Sequence, residues 1–172
     1  MQIEIRKGLA ALSPGTFNAV IAPEKEIISA INSNIDLQRF LFLYISGNYS
    51  RILSGINRKS KNFDVRRGFT AHQLFTILRE ASHTVIFVEH DPSLFDGAME
   101  MLEPIGSALK ECARESLVIL YTPLTDRTFS ALARKADHYI EIVPGEVNRY
   151  PNSQLMRERG LRPSGQQMLE VS

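Results

Sequence analysis

The chain has very little cysteine: one in 172 residues, Cys112. That excludes an internal disulfide and any multi-cysteine zinc or iron–sulfur centre, and it fits a reducing compartment. No apolar run approaches the roughly 20 residues of a membrane span, and the opening Met-Gln-Ile-Glu-Ile-Arg-Lys has no hydrophobic core of a signal peptide, so the expectation is a cytoplasmic protein with no membrane partner. Charge of one sign is lacking as well. Lys plus Arg number 20 against 19 Asp plus Glu, so net charge points to no partner and only local clustering can. Two chemical motifs are missing altogether: there is no Gly-x-Ser-x-Gly and no Gly-x-x-x-x-Gly-Lys-Ser/Thr. The second is what a phosphate-wrapping loop needs, glycines for successive backbone N–H groups, a lysine for charge and a hydroxyl for magnesium.

What is present reads as one α/β domain, since 172 residues at 44% hydrophobic content suffice for one core and not for two ordinary ones. Four short runs rich in branched and aromatic residues do not alternate and so predict buried parallel strands: 17–22, 40–46, 84–89 and 117–122. Helical stripes separate them: Ile27, Ile28 and Ile31; Leu74, Phe75, Leu78 and Ala81 after an N-cap at Thr70; Met101, Ile105, Ala108, Leu109 and Cys112; and Phe129, Leu132, Ala133 and Ala136 after a cap at Thr125 or Asp126. Strand alternating with helix predicts a three-layer α-β-α fold with a mostly parallel central sheet. His138-Tyr-Ile-Glu-Ile-Val143 alternates as a half-exposed strand near an edge would. From Pro144 to Gly165 come three prolines and three glycines, so a core at 1–145 is expected to carry a loop-rich extension of the same domain at 146–172. Within that extension a short helix is expected near 154–159, and 167–171 as a final strand pairing with 138–143. A short strand at 2–6 and a turn at Ser13-Pro14-Gly15 open the chain.

Phe17 to Ile31 has the form of a strand entering a helix where a nucleotide-binding protein carries its phosphate loop, but Pro23 removes an N–H, and Glu24 and Glu26 place negative charge where an anion should sit. Thr84-Val-Ile-Phe-Val-Glu-His-Asp-Pro92 is a hydrophobic strand ending in acids. The carboxyl ends of strands face the ligand crevice of an open α/β sheet, so Glu89, His90 and Asp91 fall at the usual functional edge. The competing reading makes Asp91 a turn cap before Pro92 and Glu89 a solvated strand end. Between strands, Arg51, Arg58, Lys59, Lys61, Arg66 and Arg67 stand against a single acid, Asp64, with Tyr49 and Phe63 nearby; such a stretch can grip nucleic-acid phosphates and stack bases, or can be a solvated turn. His72, His83, His90 and His138, with Asp91 and Asp96, are ligand types without ligand spacing, so no metal is expected, and Cys112 lies on an apolar stripe as a structural thiol would.

In their order these elements resemble the RecA-like family of P-loop ATPases, in particular its archaeal branch related to RadA and the KaiC-type proteins. The segments that carry the resemblance are Phe17–Ile31, Arg66-Arg-Gly-Phe-Thr-Ala-His-Gln-Leu74, the Thr84–Glu89 strand, Leu117–Thr122 and Ala133-Arg-Lys-Ala-Asp-His-Tyr-Ile-Glu-Ile142. The resemblance implies a RecA-like core and an ancestral Mg-ATP site falling on Glu24, Lys25, Glu89, Asp91 and, as a polar sensor, Thr122. With no Gly-x-x-x-x-Gly-Lys-Ser/Thr in the chain, and with Glu26 following Lys25, the one candidate for its lysine, the expectation is an ATPase homologue that is catalytically inactive, has no required cofactor, and serves as a partner or regulatory subunit, pairing with itself or with an active RecA-family ATPase, in recombination or repair. The rivals are a nucleic-acid-binding module on 51–67, with DNA as ligand, and a residual nucleotide-binding ATPase.

Overall fold

A computed structural model describes residues 3–5, 10–143 and 146–150. Its centre is a seven-stranded sheet. In chain order the strands are β3 (Phe17–Ile21), β4 (Phe42–Ser46), β5 (Phe63–Arg67), β6 (Val85–Glu89), β7 (Leu117–Thr122), β8 (His138–Val143) and β9 (Glu146–Tyr150), arranged β5-β4-β6-β7-β3-β8-β9. All pairings are parallel except β8 with β9. The four strands predicted from unbroken apolar runs are the central ones. Each residue of β3, β4, β6 and β7 is buried, because helices cover both faces.

On one face, α2 (Ala71–Glu80), α3 (Leu102–Cys112) and α4 (Arg127–Ala133) bury a core that includes Leu43, Ile86, Leu120, Leu74, Ile105 and Phe129. On the other, α1 (Glu24–Ser33) and a small antiparallel pair, β1 (Ile3–Ile5) and β2 (Ala10–Leu12), pack Ile27, Ile31, Ile3 and Leu12 over Val20, Tyr44, Phe87 and Tyr121. The three layers expected from the sequence are therefore the architecture found. Caps fall where the residue types demand: the Thr70 hydroxyl accepts from the Gln73 N–H at 3.1 Å, while the Gln73 side chain accepts from the Phe69 N–H at 2.7 Å. Asp126, rather than Thr125, caps α4 through the N–H groups of Thr128 and Phe129. Asp137, in the last of the resembling segments, accepts from the Phe17 N–H at 2.8 Å and so fixes the entry of β8 beside β3.

Three expectations are corrected. Residues 63–67, read as part of a basic connection, form β5, a parallel edge strand whose alternation of charge with apolar side chains hid it. The strand 138–143 is not half-exposed: all but its two end residues are buried, because β3 flanks it on one side and β9 on the other. Its antiparallel partner is 146–150, which takes the place assigned to 167–171; that segment and the helix expected at 154–159 lie outside the described residues. The expected hairpin near the C-terminus is thus β8–β9, whose tyrosines Tyr139 and Tyr150 sit with ring centroids 5.8 Å apart. No described helix is long and apolar enough to cross a membrane.

Candidate functional site

The carboxyl ends of β3, β4, β6 and β7 define the edge where an open α/β sheet holds ligands. At β3 the chain needs only Ala22 and Pro23 to pass from the last strand residue, Ile21, to the first helical residue, Glu24. That turn is fastened on its inner side. The Ala22 N–H donates to the Thr122 carbonyl (3.3 Å), and the buried Tyr121 hydroxyl donates to the Ala22 carbonyl (3.0 Å). Pro23 occupies the N-cap position without a side-chain cap, Glu24 reaches the Arg51 guanidinium at 3.4 Å, and Lys25 points into solvent.

The strand-end acids of β6 are both buried, and both are spent on the loop that follows β4. Glu89 accepts from the Tyr44 hydroxyl, from the Ser50 hydroxyl at 2.6 Å and from the Arg51 N–H at 2.7 Å. Burial and then the Glu89 carboxylate push the Tyr44 phenol far above its ordinary value. Asp91 accepts from the Asn48 N–H at 2.8 Å with one oxygen, and from the Ser93 N–H and hydroxyl at 2.9 and 2.6 Å with the other. It caps a 3-10 turn at Pro92–Phe95. Gly47 makes this possible: a Cβ there would lie 2.5 Å from Asp91 Oδ2 and 2.6 Å from its Cβ. Both carboxylates therefore staple the 47–51 loop down over the sheet.

Between them His90 turns to the α4 side. Its side chain is 2% exposed, with Nε2 3.0 Å from both Asp126 Oδ2 and Thr128 Oγ1 and the ring against Phe95 and Phe129. Burial alone would raise the Asp126 carboxyl, but the hydrogen bonds from His90, Thr128 and the Phe129 N–H hold it well below the usual carboxylate range. Thr122 closes its own turn, donating to the Leu124 carbonyl at 2.7 Å. A void bordered by Gly47, His90, Asp91 and Leu94 amounts to about 10 Å³, room for about one water, whereas ligand clefts run to several hundred. A wider cleft of about 490 Å³ lies at the opposite end of the sheet, between the ends of α2 and α3, and includes His83 and Cys112 but none of the strand-end acids.

The five residues assigned to an ancestral nucleotide site thus gather at one edge, but each faces a protein partner or solvent. The six basic residues do not gather. Arg58, Lys59 and Lys61 precede β5 at the foot of the sheet, where the Asn57 N–H is tied to Asn32 at the end of α1; Arg67 and Arg51 lie at its head, about 13 Å away along the strand. Arg66 pairs with Glu80 at 3.0 Å, and the Arg67 Nε reaches the Ser46 hydroxyl at 3.4 Å. Of the two nearby aromatics, Phe63 stacks on Phe42 at 4.8 Å while Tyr49 is 79% exposed. Among the described residues no three His, Cys, Asp or Glu converge on a metal position. His83 and His138 instead meet Asp64 (2.7 Å) and Asn18 (3.0 Å). Sequence reasoning missed Tyr44, Gly47, Asn48 and Ser50, because nothing local marks a loop as the partner of an acid some 40 residues later.

No family model matches the chain. It is 41% identical over 137 residues to an uncharacterised protein of Archaeoglobus fulgidus, a match spanning 79% of this chain and 69% of that one. The chain belongs to that protein's family. Solved structures with similar folds include the flagellar accessory protein FlaH from Methanocaldococcus jannaschii (TM-score 0.50, 10% identity, 86% of this chain and 84% of FlaH). Another is the ADP conformation of the ATP-binding cassette of an ABC transporter (TM-score 0.55, 9% identity, 100% of both chains). The fold is that of the P-loop NTPases.

Such a fold implies a magnesium nucleotide, and the residues present do not fit one. A two-residue connection, one member lacking an N–H, cannot wrap successive amides around phosphates, and the carboxylate that would face magnesium is already surrounded by three donors.

Proposed function

We propose that this protein is a P-loop NTPase-fold homologue that does not hydrolyse ATP and acts through its surfaces, as a partner or regulatory subunit binding a second copy of itself or an active RecA-family ATPase. The observation that carries the reading is the Ala22-Pro23 turn, fastened by Tyr121 and Thr122 where a phosphate loop would stand. The engagement of Glu89 and Asp91, chiefly by the 47–51 loop, supports it, since protein donors already take three of the roughly four acceptor positions of each carboxylate and leave little capacity for a cation.

Calorimetry with Mg-ATP at millimolar concentration, together with a phosphate-release assay on the wild-type protein, tests the proposal. The expected result is no heat of binding and no release above buffer. Turnover that disappears in Glu89→Gln would overturn it, because it would return the strand-end acid to catalytic work. The separation of Arg58, Lys59 and Lys61 from Arg51 and Arg67 weighs against the rival nucleic-acid reading, in which one continuous basic surface tracks a phosphate backbone.

A further inference from the structure

Among the described strands, the sheet has one parallel edge that no other strand hydrogen-bonds: β5, with β4 on its inner side alone. We propose that this edge is a homodimer interface, in which β5 pairs antiparallel with β5 of a second copy about a twofold axis at Val65, joining two sheets into one. This rests on the reading that the protein works through its surfaces, and it names the occupant of one of them.

Backbone direction supplies the first argument. The Asn62 carbonyl accepts from Phe42, and the Gly68 N–H donates to Ser46, so the even-numbered residues of this segment turn their polar groups inward to β4. The period of two then turns the N–H and C=O of Val65 and Arg67 outward. An antiparallel pair needs such outward groups, and a twofold through Val65 makes Val65 opposite Val65 a hydrogen-bonded pair, exchanging two bonds. The Arg67 N–H groups then face the Phe63 carbonyls of the other copy, while the Phe63 N–H is already bonded to Ser60.

Side-chain order supplies the second. Phe63-Asp64-Val65-Arg66-Arg67 is charge-complementary to its own reverse. In this register Asp64 stands opposite Arg66 of the second copy, and Arg66 opposite its Asp64, both as non-hydrogen-bonded pairs with Cα atoms about 4.5 Å apart, the closer of the two spacings. Charges on an edge strand ordinarily repel a second strand. Here the repulsive alignment is the parallel one, and the antiparallel one brings opposite signs together. All four side chains are accessible, at 58% for Asp64, 45% for Arg66 and 58% for Glu80, with His83 at 17%, so the pairs already made within each copy, Asp64 with His83 and Arg66 with Glu80, extend into a network across the axis. On the opposite face Val65, 38% exposed, meets its own copy, flanked by Phe63 and Arg67.

The test is sedimentation equilibrium of the full chain and of two variants, Asp64→Arg and Arg66→Asp. Each variant places like charges opposite each other twice in its own dimer, so the wild type is expected at twice the monomer mass and each variant at the monomer mass. An equimolar mixture of the two variants restores both opposite-charge pairs and is expected to recover the doubled mass, which misfolded chains could not do. A monomeric wild type, a dimer that survives both substitutions, or a mixture that stays monomeric would each overturn the interface. Nucleotide turnover by the wild type would instead sink the proposed function and leave this interface standing.

Discussion

Replacing Glu89 by glutamine separates a structural carboxylate from a ligand-binding one by the sign of its effect on stability. In the folded protein Glu89 is 6% exposed and accepts from Tyr44, Ser50 and the Arg51 N–H. Hydrogen bonds to an ionised acceptor contribute roughly 1.5–3 kcal/mol each, and a buried donor left unsatisfied costs about 1–3 kcal/mol. A glutamine keeps the shape and one oxygen, enough for the Arg51 N–H, but turns an NH₂ toward two hydroxyls. The Ser50 hydroxyl can rotate to accept from it; Tyr44 is held in the core between Phe63 and Phe87, loses its carboxylate acceptor and keeps only the long 3.4 Å contact with the Ser50 hydroxyl. The expected loss is about 2 kcal/mol in urea unfolding without magnesium or nucleotide, and about 4 kcal/mol for Glu89→Ala, which strands all three donors. In a Tyr44→Phe background the glutamine should cost about 1 kcal/mol less, because the stranded donor is gone. A carboxylate kept for a ligand behaves oppositely, since function is commonly held at a cost in stability and its removal stabilises the empty protein. An unchanged or raised unfolding midpoint in Glu89→Gln would refute the structural role.

Two further outcomes follow from the same core. Gly47→Ala forces a methyl into Asp91, which is clamped by Asn48 and Ser93, and should lower stability by about 3 kcal/mol in urea unfolding; a cost under about 0.5 kcal/mol would mean that the clamp yields. Burial first, and then nearby acids, raise the phenols of Tyr44, Tyr121 and Tyr139 above their ordinary range. Their protonated forms are therefore retained in the folded chain while the unfolded chain ionises, so stability present below about pH 10 is lost as pH rises beyond it. With three such groups the slope averages about 3 kcal/mol per pH unit between about pH 10 and 11, where the unfolded phenols are still ionising, and Tyr44→Phe should cut it by a third in unfolding titrations over that window.

The parts of this fold that can be read from the sequence are those where one physical cause dominates. The four central strands are legible because burial on both faces leaves an unbroken apolar run, and the helices because their stripes sit behind Thr70 and Asp126, which have the chemistry of a cap. β5 is not legible, since an edge strand in which Asp64 and Arg66 face solvent on one side resembles a polar loop. His138–Val143 misleads in the opposite direction: Glu141 gives it a half-exposed rhythm, yet β9 covers the strand and Glu141 is only 6% exposed. At the site, the positions of Glu89 and Asp91 at a strand end are legible from the hydrophobic run before them. Most of their partners are not, because these donors come from β4 and the loop after it, whose proximity is set by the order β4-β6 in the sheet rather than by any spacing along the chain.

The stapled loop after β4 is the consequence of one requirement. Acids at the buried end of a central strand must find positive or polar partners, since an unpaired buried carboxylate is far costlier than a paired one. A nucleotide-binding protein meets that demand in part from outside, with a cation that comes and goes. Here the demand is met from within, by Tyr44, Ser50 and the amides of Asn48 and Arg51, and Gly47 lets the loop come close enough to supply them. An edge satisfied in this way needs no ligand to be stable, and on the proposed function no bound nucleotide moves the rest of the molecule from there. If the protein acts through its surfaces, as proposed, the surface to test first is β5, which among the described strands combines outward backbone polar groups with self-complementary charge.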